Sequence, residues 1–215
     1  MLLLAIDTSG RQGGITLSRG NKQVEMIEST PIQGGTFSAE LIPQIAELLA
    51  KHGYSAKQLE ALVAVTGPGS FTGLRVGLTA VKGLAEVLHL PIATVSSLEV
   101  LLAAAGAQEN TLAVLDAGRG EVYVAVQIGG KREESLITAA EAAALANSKR
   151  LRVVAAEAST ASKFPKADVV QYCSTEVAAR MGFEKLHAGN TVDVLALDAN
   201  YIRKSEAEYM QKLKK

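Results

Sequence analysis

The residues best suited to chemistry are the glycines and the hydroxyl of Gly67-Pro68-Gly69-Ser70-Phe71-Thr72-Gly73-Leu74-Arg75-Val76-Gly77. A β-branched run, Leu62-Val63-Ala64-Val65, feeds this string and a long apolar stretch leaves it, so it predicts a strand, a glycine turn and a helix start. Such a turn can expose backbone N–H groups at the positive end of a helix, which is phosphate chemistry. Gly67, Gly69 and Ser70 are the candidates for it. Two aspartates at strand ends, Asp7 and Asp116, could hold Mg²⁺ against that phosphate; an aspartate there can equally accept N–H bonds in its own turn. The string lacks the Gly-Lys-Ser/Thr of a P-loop and the glycine spacing of a dinucleotide fingerprint. Close packing explains the glycines better. An ATP-dependent phosphotransferase or ATPase is the alternative this loop keeps open.

Other chemistry is poorly supplied. His52, His89 and His187 stand apart in the sequence, and Cys173 is the one cysteine, so the chain offers no spacing for metal ligation and no intrachain disulfide. No metal site and no cofactor are expected, and Cys173 is expected to be a buried spectator. A peptidase would need a nucleophile and base or a metal motif, and neither is visible. Lys plus Arg equals Asp plus Glu at 22 each, and aromatic residues make up 4% with no Trp. Autonomous nucleic-acid binding is therefore disfavoured. Met1-Leu2-Leu3-Leu4-Ala5-Ile6 is apolar but lacks a basic leader and meets Asp7 too soon for a signal peptide, so a buried strand in a cytoplasmic protein is expected. The mean hydropathy of +0.17 suggests apolar surface covered by a partner.

The elements that must position these residues follow from an internal repeat. A shift of 109 residues lays Leu3-Leu4-Ala5-Ile6-Asp7 on Leu112-Ala113-Val114-Leu115-Asp116, and Gly20-Asn21-Lys22 on Gly129-Gly130-Lys131. Each copy reads as a hairpin with a Gly/Arg turn, then a helix (Ala39–Lys51; Ala139–Ala146), then a strand (Leu62–Val65; Leu151–Ala156). Two related α/β lobes are expected, 1–106 and 107–215, with the aspartates facing across a cleft. Ser55-x-x-Gln58, Ser96-x-x-Glu99 and Thr138-x-x-Glu141 have capping-box spacing. Leu90–Val95 reads as a strand, Leu98–Ala105 as a helix, and Asp198–Lys215 as a charged terminal helix. The helix 71–88 is apolar nearly all round, so one side must meet its own sheet and the other a neighbour. Leu41, Ile42, Ile45 and Leu49 on the first helix and Leu74, Val76, Ala80 and Val87 on this one are the expected docking residues.

Ala5-Ile6-Asp7-Thr8-Ser9, the glycine string, Leu115-Asp116-Ala117 and Asn200-Tyr201-Ile202-Arg203 together resemble the TsaB (YeaZ) family, accessory proteins of bacterial tRNA threonylcarbamoyladenosine (t6A) synthesis. The resemblance implies a duplicated two-lobe fold of the actin/Hsp70/sugar-kinase type. It implies a heterodimer with the relative TsaD, which transfers threonylcarbamoyl to N6 of adenosine 37 in tRNAs reading codons that begin with A. It implies TsaE in an ATP-dependent step, a homodimer when TsaD is absent, and only indirect contact with tRNA. TsaD carries His-x-x-x-His on the helix after the strand matching Ile92–Val95; Ser97 and Leu101 stand there in this chain, which implies a non-catalytic subunit. Family members often place a His before the Ser-Glu of the first helix, and Phe37-Ser38-Ala39-Glu40 lacks it.

Overall fold

The computed structural model describes residues 1–106, 109–171 and 173–202. The chain opens with β1 (Leu2–Asp7), β2 (Gln12–Gly20) and β3 (Val24–Gln33), an antiparallel meander in which β1 pairs β2 and β2 pairs β3. Helix α1 (Phe37–Lys51), strand β4 (Ala61–Val65), helix α2 (Phe71–Leu88) and strand β5 (Ile92–Val95) follow. Strand β4 pairs in parallel with β1, and β5 in parallel with β4, giving the order β3-β2-β1-β4-β5.

Helix α3 (Ser97–Ala104) leads to a second set: β6 (Thr111–Gly118), β7 (Glu121–Ile128), β8 (Lys131–Thr138), α4 (Ala139–Lys149), β9 (Arg152–Ala155), the short α5 (Ala158–Ala161), β10 (Asp168–Val169) and α6 (Ser174–His187). Its sheet order, β8-β7-β6-β9-β10, repeats the first, again with the meander antiparallel and the last two strands parallel. The molecule is α/β, two mixed sheets with flanking helices. All three capping boxes anticipated from spacing form, at Ser55, Ser96 and Thr138.

The central strand β1 is buried on both faces, as helix layers on the two sides of its sheet require. Leu2, Leu4 and Ile6 join a core with α1 and α2, including Phe37, Leu41, Ile45, Leu49, Leu74 and Val81. Leu3 and Ala5 face the other way, into a core with Ala178, Ala179 and Phe183 of α6. The second sheet is covered in the same crossed manner: Leu98, Leu101 and Leu102 of α3 pack on Ala113, Tyr123, Ala125 and Val154. Each sheet is thus covered on one face by a helix from the other half of the chain. Gly182 brings α6 close to the first sheet, since a Cβ there would collide with the Val63 side chain.

Three expectations need correction. Helix α1 starts at Phe37 rather than Ala39 because the Phe37 ring is itself a core group, 4% exposed. Cys173 is exposed, not buried, because it sits at the N-terminal edge of α6 where that helix emerges. Residues Asp198–Ile202 are not helical; Leu197 and Ala199 pack into the first core, and the remainder of the expected terminal helix lies outside the described residues. No helix among the described residues is long and apolar enough to cross a membrane.

A polar cluster ties the exchanged helices together. Glu99 on α3 accepts from Lys185 Nζ of α6 at 3.1 Å and pairs with Arg132 of β8 at 3.1 Å, while Lys185 also donates to the Thr94 carbonyl at 2.9 Å. Burial by itself would raise the Glu99 carboxyl, but the Lys185 ammonium, and beyond it Arg132, outweigh that and hold it below its ordinary value of 4.5. A folded value below the unfolded one means the unfolded chain binds more protons in this range. The stabilisation is therefore full above the ordinary value and is lost as pH falls through the lowered one. Lys185→Met should cost about 2 kcal/mol at neutral pH by leaving a largely buried carboxylate with Arg132 as its one cation. Urea unfolding should show that deficit shrinking as pH drops below the carboxyl's ordinary value of 4.5; a deficit independent of pH would mean that packing, not charge, holds this joint.

Candidate functional site

The glycine string occupies the turn between β4 and α2, and its hydrogen bonds run inward. Thr66 donates its N–H to the Val95 carbonyl at 2.9 Å, and its own carbonyl accepts from Asn200 N at 2.8 Å; the Gly67 carbonyl accepts from Ser97 N at 2.8 Å. Gly67 has φ of +95°, which only glycine takes without strain, and its peptide bond to Pro68 is cis. Ser70 caps α2, its Oγ accepting from Gly73 N at 3.3 Å, and donates its own N–H to the Ser9 carbonyl at 2.7 Å.

What the other glycines face is the turn after β1. A Cβ on Gly69 would collide with the Ser9 carbonyl, one on Gly73 with the Thr8 carbonyl, and one on Gly77 with Thr8 Oγ1. The turn itself is set by Asp7, whose Oδ1 accepts from Ser9 N at 2.8 Å, and by Ser97 Oγ, which donates to Ser9 Oγ at 3.1 Å. Asp7, Thr8 and Ser9 are all buried. The space in which a phosphate would lie against this loop holds the chain's own backbone carbonyls. Close packing accounts for Gly69, Gly73 and Gly77 without a ligand.

Asp7, Gly67, Gly69 and Ser70 therefore come together around Ser9. Asp116 is engaged elsewhere, its Oδ1 accepting from Lys163 Nζ at 2.6 Å and its side chain 38% exposed. The Lys163 hydrogen bond, with Arg11 beyond it, holds its carboxyl below the usual range. Ser97 and Leu101, the positions that the family resemblance sets against histidines, are likewise used internally. Ser97 bonds Ser9, and Leu101 lies in the apolar cluster beneath the second sheet. Among the described residues no three His, Cys, Asp or Glu side chains gather as a metal would need.

The expected docking residues divide. Leu41, Ile45, Leu49 and Leu74 are at most 3% exposed and belong to the chain's own core, so they present no surface. The reason is that α1 lies on the same sheet face as α2 and each helix turns its main stripe inward. Ile42 and Val87 are open at 54% and 76%, and Val76 and Ala80 are half-buried. With Thr72, Arg75, Thr79, Gly83 and Glu86, which are exposed, Val76, Ala80 and Val87 form the outer side of α2. At its first turn Phe71, 49% exposed, carries the Arg75 guanidinium at 3.9 Å from its centroid and has the Tyr201 ring at 5.5 Å. The periodicity missed this cluster because Phe71 falls off the core stripe and Tyr201 lies 130 residues downstream in the sequence.

A family model described as TsaD, tRNA N6-adenosine threonylcarbamoyltransferase, matches residues 32–209. The tRNA threonylcarbamoyladenosine biosynthesis protein TsaB of Haemophilus influenzae is 36% identical over 126 residues, 57% of this chain and 52% of that one. Its namesake in Bacillus subtilis is 37% identical over 124 residues, 57% and 53% of the two chains. These matches span about half the length of the curated relatives. YeaZ from Pseudomonas aeruginosa superposes with a TM-score of 0.72 over 93% of this chain and 100% of that one at 23% identity, which shows a shared fold.

Proposed function

The chain belongs to the tRNA N6-adenosine threonylcarbamoyltransferase (TsaD) family, and from that premise we propose that it serves t6A synthesis as a non-catalytic subunit of the TsaB (YeaZ) kind. Its role is to bind TsaD and support threonylcarbamoyl transfer to N6 of adenosine 37. The similarity to TsaB of two bacteria supports the pathway. The internal use of Ser97 and Leu101, where the catalytic relative is expected to carry metal ligands, supports the absence of catalysis. The identical strand orders of the two sheets, together with the shift of 109 residues, support reading them as duplicated lobes, 1–106 and 107–215, of the actin/Hsp70/sugar-kinase type.

One observation carries the docking role: α2 lies on the surface with one side buried and the other uncovered, small and apolar at Val76, Ala80, Gly83 and Val87 and charged at Arg75 and Glu86. Val87, 76% exposed among these small residues, gives that side an apolar point a partner can cover. A partner helix laid across it, with Ile42 of α1 alongside, would extend the core outward. In this proposal TsaE joins the pair, tRNA is met through TsaD, and a homodimer occupies the same face when TsaD is missing.

The test is threonylcarbamoyl transfer to tRNA in a mixture of TsaD, TsaE, the separate enzyme that makes the threonylcarbamoyl donor (TsaC), ATP, threonine and bicarbonate. Adding the chain should raise the rate by at least about 100-fold, the range that completing a catalytic assembly supplies. Transfer that proceeds equally well without it removes the proposal.

A further inference from the structure

The first sheet carries a cavity at the end away from the glycine turn. Asp7, which sets that turn, closes β1, whereas Arg19 of β2 pairs with Leu2 at the start of β1 and with Glu25 of β3. Leu2, Leu4, Ile15 and Leu17 all belong to the core with α1, so Arg19, two residues past Leu17, continues on that face beyond the end of the core. Glu25 is its direct cross-strand neighbour and points the same way. Beside them lies a cavity of about 260 Å³ lined by Arg19, Glu25, Met26, Ile27, His52 and Tyr54.

Local construction opens this space. On β3 the register slips: Leu17 pairs with Glu28 and Ser18 with Met26, so Ile27 is an extra residue with no partner on β2. Such a bulge bends its strand and re-aims the side chains beside it. The end of α1 forms the opposite wall, because Glu28 accepts from Lys51 Nζ at 2.7 Å and from His52 Nε2 at 2.8 Å and so fixes that end to β3. Tyr54 packs against the first core and holds the Arg19 guanidinium 5.7 Å from its ring centroid. Glu28 is thus satisfied, whereas Arg19 and Glu25 are not. Both are exposed, and neither side chain makes a hydrogen bond or ion pair with the other or with any other described residue.

We propose that this cavity binds a free α-amino acid with an aliphatic side chain. A guanidinium held on an aromatic face is pre-oriented, and its fork matches a carboxylate through two parallel N–H···O bonds. Directly opposite cross-strand residues hold their Cβ atoms about 5 Å apart. Base and acid therefore stand side by side, which complements a carboxylate and an ammonium carried on one carbon. Arg19 takes the carboxylate, Glu25 takes the ammonium, and Ile27 with the Tyr54 ring takes the side chain. The volume corresponds to about nine water-sized groups, and leucine has about nine non-hydrogen atoms. A few placed polar groups beside an apolar lining is the ordinary constitution of a small-ligand site. No residue of α2 lines the cavity, so the site stands whether or not that helix docks a partner.

The experiment is amide NMR of the isotope-labelled whole chain titrated with L-leucine, with isocaproate, which lacks the ammonium, and with leucinol, which lacks the carboxylate. L-leucine should bind with a Kd on the order of 1 mM or tighter and shift the amides of Arg19, Glu25, Ile27, His52 and Tyr54. Each analogue should bind about 10-fold more weakly, because it leaves one charge of the site without its partner. Arg19→Gln should weaken leucine and isocaproate about 10-fold and leave leucinol within about twofold; Glu25→Gln should weaken leucine and leucinol about 10-fold and leave isocaproate unchanged or tighter. Circular dichroism of both variants confirms the fold. No shifts at about 20 mM L-leucine, shifts centred away from the cavity, or equal losses for all three ligands in either variant overturn the assignment.

Discussion

Replacing Gly73 by alanine should destabilise the chain by about 3 kcal/mol, whereas the same replacement at Gly83, ten residues along the same helix, should stabilise it by up to about 1 kcal/mol. Both changes remove a glycine from the helix, Gly73 in its first turn and Gly83 in its body. They differ in what the new methyl meets. At Gly73 it meets the Thr8 carbonyl, a backbone atom of a central buried strand's turn that cannot step aside without moving Asp7 and Ser9. At Gly83 it meets open space. For a chain of this size the pair should separate in Tm by roughly 8–16 °C. If both variants melted together, the tight joint between the glycine turn and the end of β1 would be refuted, and the loop would again need a ligand to explain it.

Val87→Glu should weaken association with TsaD at least about 100-fold and remove the chain's stimulation of threonylcarbamoyl transfer, with Tm unchanged to within about two degrees. Val87 is 76% exposed, so a charge there costs the isolated chain almost nothing; surface changes of this kind stay within about 0.5 kcal/mol. Across a closed interface the same carboxylate would have to be desolvated without a partner. Val76→Glu tests the same face from the other end of the helix, and its smaller exposure predicts a measurable loss of stability besides. Undiminished affinity in both variants would move the contact off α2.

The sequence carried the secondary structure of α2 to the residue, because a serine cap, a glycine turn and eighteen apolar-rich residues leave no other arrangement. It carried the hairpin, helix and strand that open each sheet as well, since each segment brings its own strand end, turn and closing glycines. What it could not supply is the identity of the covering surface. Leu41, Ile45, Leu49 and Leu74 share helical faces whether those faces meet a sheet or a second protein, and periodicity distinguishes neither. The same limit hid the exchange of α3 and α6, since an amphipathic stripe does not name its sheet. For Gly69 and Gly73 the sequence says that small residues are needed; the Thr8–Ser9 turn that needs them lies about sixty residues away.

The exchange of layers sets the order in which this protein can be completed during synthesis. Leu3, Ala5, Val63 and Val95 all lie on the face of the first sheet that α6 covers. The ribosome makes that sheet by residue 95 and its cover only at residues 174–187. Through the whole intervening synthesis the nascent chain displays an apolar sheet face with no local segment able to shield it, the condition under which chains recruit chaperones or aggregate. A fragment ending at residue 106 should therefore be insoluble when expressed alone, and supplying residues 107–215 as a second polypeptide should rescue it.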